Sequence, residues 1–511
     1  MKGYKKIVIA VAALLLVVVL ANIGLNYWIE KKLPALINEK NNSPYYITYE
    51  DIDVSLFNSS IVATNIVVVP KDASKGKKAG LYASIKEITV NHFKLWDILF
   101  SNKIRAKQIR VIQPDISMYG TQDDTKKPEV NTFFSKVIVV SEVSVEKGSL
   151  RTFDFNDDLT LQVHNVNAEV DGILVTDAIL ERKIPFDFDT YSIRYDSLYY
   201  KPNKFYHVTT KAFTSSKSEL TVKNVAYVPE YSRAEFVKAI PAEKDLFAVN
   251  VGSLTVTQMD WGFKKNRFFF HSGAVILNTL FANIYRAKMP PDDLTKKPLY
   301  SQLLREIDFD LKVDTLAIRN SSLEYEEEKT FEKGAGLLTF RKFNLYARHI
   351  NSGFGMKKVP DVQIKVNCLF MGASPMNVNW RLNPLDRSDS FNINGSIRNF
   401  PAEQLTPFTK PYMNVTAKGI LNQVSFDITG NDDIAKGEVS LDYDDLKFTI
   451  YRKKDSKKKN KILSAVANLF VKNDSKEEVK DAEIEVERTK EKSFFNFFWK
   501  CVAEGLKKIL V

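Results

Sequence analysis

Residues 137–145 read Val137-Ile138-Val139-Val140-Ser141-Glu142-Val143-Ser144-Val145. Val137, Val139, Val143 and Val145 keep a period of two through Ser141, so they share one face of an extended chain while polar residues take the other. Valine is stiff at χ1 and suits a pleated surface, so the stretch predicts a half-buried β-strand. The same alternation spreads outward in both directions. It appears at Ile52, Val54 and Leu56; at Leu159, Leu161 and Val163; at Phe309, Leu311 and Val313; at Val424, Phe426 and Ile428; and at Gly437, Val439, Leu441 and Tyr443. Breaks rich in Gly, Asn and Asp separate the runs, as hairpin turns require. The pattern predicts an antiparallel sheet with one apolar and one wet face. Helical periodicity is scarce between residues 45 and 450; short helices are expected at Leu95–Phe100 and Ala234–Ile240.

The chain has 511 residues, 44% hydrophobic and 26% charged, an ordinary balance for a folded body. A length of this order suggests two to four domains, although strand arrays grow beyond that because each unit leans only on its neighbours. Phe (34) and Tyr (21) are abundant, which again favours strands. The two cysteines, Cys368 and Cys501, provide no disulfide framework and no CxxC. A net charge of +11 suits nucleic acid or an anionic lipid surface.

At the N-terminus Lys2, Lys5 and Lys6 precede an apolar run, Ile7–Leu25, that includes Leu15 and Val18. As a helix it measures about 28 Å, close to the roughly 30 Å of bilayer hydrocarbon. Tyr27 and Trp28 follow where an interfacial aromatic belt would lie. Residues 1–30 therefore read as a cytoplasmic N-terminus and a single transmembrane anchor, Lys5 and Lys6 on the inside, with Lys31 and Lys32 weakening that bias. A cleaved export signal is the competing reading, with Val19 and Ala21 before the cut.

Residues 31–451 form the β-rich body. Within it an apolar-x-apolar pair recurs, followed after four residues by another apolar one: Ile109, Val111 and Ile116; Val143, Val145 and Leu150; Leu254, Val256 and Trp261; Leu316, Ile318 and Leu323. Each reads as a strand, a tight turn and a returning strand. Residues 452–492 read as a charged linker with a short helix at Ser464–Phe470. Its basic run, from Arg452 to Lys461, suits a solvated loop or anionic lipid and lacks the interleaved aromatics of a nucleic-acid site. Residues 493–511 begin Ser493-Phe494-Phe495-Asn496-Phe497-Phe498-Trp499. Helical spacing puts Phe495, Phe498, Val502, Leu506 and Ile509 on one stripe of an amphipathic helix. Phe494, Phe495, Phe498, Trp499, Lys507 and Lys508 are its candidate contacts with a membrane or partner; docking on the sheet as a cap is the alternative.

Three segments resemble the AsmA-like family of bacterial envelope proteins. They are the strand pair in Tyr49–Val69, the segment Ala83–Phe93 with Leu95-Trp96-Asp97-Ile98-Leu99, and the I-x-V-x-x-P-x-I element Ile109–Ile116 with Pro114. The late segment Phe391–Tyr451 is similar to the family's C-terminal region. The resemblance implies a transmembrane helix followed by an extended, curved antiparallel sheet, a repeating β-groove related to bridge-like lipid-transfer proteins. It also implies a periplasmic body on the inner membrane of a Gram-negative-type envelope, handling phospholipid between inner and outer membranes. Val143, Val145, Leu311, Val313, Phe426 and Val439 are the candidate groove residues. Alternation by itself equally suits a closed sandwich, since both need one apolar face.

Catalytic constellations are missing from the sequence. The five histidines, His92, His164, His207, His271 and His349, share no ligand spacing with one another or with a cysteine. No G-x-S-x-G, G-x-x-x-x-G-K or G-x-G-x-x-G occurs. The acidic pairs Asp157-Asp158, Asp432-Asp433 and Asp444-Asp445 read as turn residues, and Glu324–Glu328 as a solvated strand end. The expectation is a protein without enzymatic chemistry, cofactor or metal, partnered by phospholipid and by an envelope protein at its C-terminal end. A scaffold that holds the exposed strands of outer-membrane proteins is the alternative.

Overall fold

The computed structural model describes residues 44–510, apart from 56, 72–77, 95–96, 98–102, 121–136, 177–178, 180–183, 185, 265–266, 453–454, 462–463, 465–474 and 476–478. The expected anchor, most of the helix at 95–100 and most of that at 464–470 lie outside the described residues. Among the described residues no helix is long and apolar enough to cross a membrane. The chain is mostly β and divides into two compact units.

The first unit runs to Pro202 and takes in Val208–Lys217. Its strands are β1 (Tyr45–Thr48), β2 (Asp51–Ser55), β3 (Ser60–Pro70), β4 (Gly80–Asn91), β5 (Lys103–Tyr119), β6 (Val137–Phe153), β7 (Leu159–Val175), β8 (Thr190–Asn203) and most of β9 (Tyr206–Ser216). β1 and β2 both pair with β3, and the order then follows the sequence through β8. All these pairs are antiparallel except β5–β6, which is parallel.

The second unit holds Asn203–His207 and everything from Ser218. Its strands are β10 (Glu219–Pro229), β11 (Asp245–Thr257), β12 (Asp260–Lys264), β13 (Arg267–Ala287), β14 (Asp310–Glu328), β15 (Gly336–Asn351), β16 (Val362–Phe370), β17 (Ser374–Leu382), β18 (Phe391–Pro401), β19 (Val415–Gly430), β20 (Ile434–Arg452), β21 (Asp455–Lys459) and β22 (Lys480–Glu487). Among the described residues α-helices accompany them at α1 (Arg233–Ala239), α2 (Tyr300–Arg305), α3 (Thr406–Met413) and α4 (Phe494–Leu510). β13–β14 is parallel, the other pairs antiparallel, and β22 closes the ladder on β20. The expectation of a purely antiparallel sheet is corrected to a mixed one. A parallel neighbour needs a connection that carries the chain back along the strand, and residues 288–309, with α2, do this after β13.

The recurring apolar triplet has a different meaning from the strand–turn–strand expected. Three of its four instances lie inside single strands β5, β6 and β14, with one residue in the left-handed region: Gln113 (φ 49°), Lys147 (53°) and Asn320 (50°). At the fourth, Gln258 (φ 51°) separates β11 from β12, yet both pair antiparallel with β13, so β12 continues the direction of β11. Such a residue uses up one position of the strand, as in a β-bulge, and the alternation changes phase across it. Apolar Ile109 and Val111 thus give way to Ile116, while charged Arg110 gives way to Asp115.

The interruptions are aligned. In the first unit Asn65 and Gln113 both stand opposite Lys86, and Lys147 stands opposite Gln113. In the second, Asn224, Gly252, Thr279 and Asn320 occupy one level of β10, β11, β13 and β14. Because neighbouring strands shift together, the register survives and the apolar residues stay on one face of the sheet across this crease. Asn65, Asn224 and Asn320 suit this conformation; Gln113, Lys147 and Thr279 adopt it at a cost of about 1–2 kcal/mol each.

Other local expectations also change. β22 lies inside the stretch read as a linker, because the alternation of Ala482, Ile484 and Val486 lets it pair with β20 and bury one face beneath α4. Glu324–Glu328 is not solvated: Glu328 is buried beneath the Tyr285 hydroxyl (2.5 Å), and Glu326 accepts from Arg233 and Asn283. Asp445 is the left-handed residue of β20, not part of a turn. Asp157-Asp158 does close a turn, Asp154 Oδ1 accepting from the amides of Asn156 and Asp158.

Candidate functional site

Residues directly opposite across a β-ladder share a face, so the pairing traces the apolar side strand by strand. In the first unit one row is Val54–Ile61–Val90–Ile109–Val143–Val170–Tyr191. The next is Ile52–Ala63–Ile88–Val111–Val145–Ala168–Ile193. Beyond the crease Ile47–Val68–Ala83–Ile116–Leu150–Val163–Leu198 continues the same side. Seven strands at about 4.8 Å make this strip roughly 30 Å wide. Most of its side chains, Val143 and Val145 included, are only half-buried, and among the described residues of this unit no second sheet or helix packs on them. The opposite face is charged and cross-linked, by Arg110–Glu146 (2.6 Å), Arg151–Asp115 (2.6 Å) and Gln108–Glu142 (2.8 Å).

The second unit repeats the arrangement with a different outcome. Its rows run Val256–Val275–Leu316–Ala347–Ile364–Trp380–Ile393–Ile428 and Leu254–Leu277–Ile318–Leu345–Val366–Val378. Here helices lie on the apolar face. Phe494, Phe497, Cys501 and Val502 of α4 form one buried cluster with Ile393, Ile428, Val439 and Ile484 of the sheet and with Leu299 at the start of α2. Phe494 stacks on Trp380 (4.5 Å between ring centres), and Phe498 meets Phe426 edge-on at 5.0 Å. Glycine at 505 permits the closest approach, since a Cβ there would sit 2.4 Å from Val439 Cβ. Burial pushes the Cys501 thiol up to about 11.

The crossover and the entry to α4 are tied by a polar knot. The Arg488 side chain is fully buried and donates to Asp432 and to the Lys297 carbonyl. The Lys297 amide donates to the Lys490 carbonyl at 2.8 Å, and Lys492 pairs with Asp292 at 2.9 Å. Burial alone would raise the Asp432 carboxyl, but the bonds from Lys296 and Lys490 and the charge of Arg488 outweigh it and hold it below its ordinary value.

The candidate residues are therefore distributed as follows. Lys5, Lys6, Leu15, Val18, Tyr27 and Trp28 lie outside the described residues. Val143 and Val145 sit on the uncovered face of the first unit. Leu311 lies in β14 beside Phe270; Val313 pairs with Ile350, which packs on the α4 cluster, and Phe426 pairs with the fully buried Val439. Phe494 and Phe498 turn into the sheet, whereas Phe495, Trp499, Lys507 and Lys508 are exposed. α2 and Arg488 were not anticipated. Six residues are too few to show a period of 3.6, and a lone arginine in a charged stretch carries no sign of burial.

The wet side of β17–β20 carries a shallow depression of about 500 Å³ lined by Asn377, Asn379, Asn394, Asp427, Glu438 and Ser440. Among the described residues no three His, Cys, Asp or Glu side chains converge as metal ligands. His207 and His271 are engaged by Glu230 (2.5 Å) and Asp310 (2.9 Å). No protein-family model and no curated protein sequence matches the chain.

Proposed function

We propose that this chain is a membrane-anchored, AsmA-like protein that handles phospholipid. On this reading the body stands in the periplasm of a Gram-negative-type envelope and serves the upkeep of the outer membrane. The observation that carries the reading is the apolar face of the first unit, partly exposed across seven strands beside a charged reverse face. Contiguous apolar surface on that scale is costly to leave in water and marks a binding surface. Acyl chains are non-directional apolar ligands that need no specific partner atoms, and the charged reverse face keeps the sheet soluble. No side chain performs chemistry in this reading; the strip shields tails while head groups stay wet.

The test is lipid extraction and mass spectrometry on the purified full chain, followed by Val143→Asp with Val145→Asp. Two carboxylates on this half-exposed strip can remain hydrated, so the variant should fold, with unchanged protease resistance, and lose most of its bound phospholipid. A folded variant that keeps its phospholipid would remove the strip from the account. A wild-type chain free of lipid would favour the scaffold that grips protein strands.

A further inference from the structure

We propose that a rim formed by Tyr300 and Leu303 of α2 and Phe495 and Trp499 of α4 seats this protein on an anionic phospholipid surface while α4 stays docked on its sheet. The inference rests on the lipid reading above; it names a membrane-facing surface and leaves the cargo strip to that reading.

The four side chains are 39%, 46%, 60% and 53% exposed, although each belongs to a helix whose other side is buried. A surface helix ordinarily puts polar residues there. They form one patch. Phe495 and Trp499 are one turn apart on α4, and Tyr300 and Leu303 one turn apart on α2. The Tyr300 and Phe495 rings are 6.3 Å apart, with Phe494 bridging them at 6.0 and 5.6 Å. Phe494 and Phe498 cannot share this role without leaving the core, because they pack on Trp380 and Phe426.

Area and charge choose the occupant. Half of each large side chain is about 100 Å², so the patch offers roughly 400 Å². A stable protein partner takes about 800 Å² per side. A bilayer interface demands no matching contour, and aromatic rings settle at its boundary with flanking lysines toward the head groups. α4 carries Lys500, Glu504, Lys507 and Lys508; Glu504 is 3.9 Å from Lys507. The amines of Lys500 and Lys508 reach neutral oxygens, the Thr489 hydroxyl (2.9 Å) and the Glu483 carbonyl (3.0 Å). Glu306, at the end of α2, accepts from Gln302 at 2.7 Å. The helix therefore presents a positive excess beside the apolar rim, which suits anionic head groups.

The full chain is reconstituted in phosphatidylcholine proteoliposomes and mixed with separately labelled vesicles, with or without phosphatidylglycerol. Capture is read by flotation, and maleimide labelling of buried Cys501 reports whether α4 is docked. Phosphatidylglycerol vesicles should be captured, less so at high salt, with Cys501 protected throughout. Leu303→Ser with Phe495→Ser and Trp499→Ser should lower capture about tenfold. Should that variant undock α4, Lys500→Glu with Lys507→Glu, on exposed positions, should lower capture several-fold instead. Undiminished capture by a docked variant overturns the proposal, as does capture that exposes Cys501. So does self-association in ultracentrifugation that the serine variant abolishes, since the rim would then join two copies. Phospholipid content is measured on the same samples. Bound lipid without capture defeats the rim alone, and capture without bound lipid defeats the strip alone.

Discussion

Gly505→Ala separates a helix docked on the sheet from one that is merely adjacent to it. In a free or loosely held helix the change is favourable, because alanine is about 0.8–1 kcal/mol better than glycine in a helix interior. On the docked helix the new Cβ would lie 2.4 Å from Val439 Cβ and 2.5 Å from its Cγ2. Val439 is fully buried in β20 between β19 and β22, so neither side can yield cheaply. Overpacking of this kind costs about 1–3 kcal/mol, and a contact more than 1 Å too short belongs at the upper end. The net expectation is that α4 loosens by about 1–2 kcal/mol, a factor of roughly 5–30 in its local opening equilibrium. Cys501, buried under the same helix, should react with maleimide correspondingly faster, and hydrogen exchange of the α4 amides should accelerate. Val439→Ala removes Cγ1 and Cγ2 but keeps the Cβ that stands 2.4 Å from the added methyl, so the double variant should recover only part of the protection lost, a coupling visible in a double-mutant cycle. Unchanged or slower Cys501 labelling in Gly505→Ala would refute the packing of α4 described above.

Arg488→Ala should destabilise the second unit by about 1–3 kcal/mol, since it removes the buried donor to the Lys297 carbonyl and one of the three cations on Asp432, which keeps Lys296 and Lys490; a urea midpoint measures this. The carboxyl of Asp432 is depressed, chiefly by the bonds from Lys296 and Lys490, so its contribution is present above the unfolded value near 4 and is lost as the pH falls through the lower folded value; acid titration of Lys296→Ala with Lys490→Ala should show most of that component gone, and Arg488→Ala only a part. Asn320→Val places a β-branched residue in the left-handed region and should cost about 1–2 kcal/mol or more, whereas Asn320→Gly should be near neutral; equal midpoints for the two would show that the crease is not held by backbone conformation.

Alternation of Val143 and Val145, or of Phe426 and Ile428, was enough to settle strand, apolar face and a mostly β chain, because side-chain direction in a strand is local geometry with a period of two. The amphipathic helix over α4 was legible for a similar reason, the period of 3.6. The triplets around Gln113, Lys147 and Asn320 were visible, but a skipped position looks the same in sequence whether the chain turns back or passes straight through a bulge. Only the partners across the ladder distinguish the two. The fate of the apolar face was equally hidden. Val145 and Val439 carry the same local signal; one is half-exposed, while the other lies under a helix more than fifty positions further along the chain. Likewise nothing local divides Phe494 and Phe498 from Phe495 and Trp499 until α4 is laid on Trp380 and Phe426. Periodicity is a property of neighbours in the chain, whereas covering is a property of neighbours in space, and only the tertiary structure brings those together.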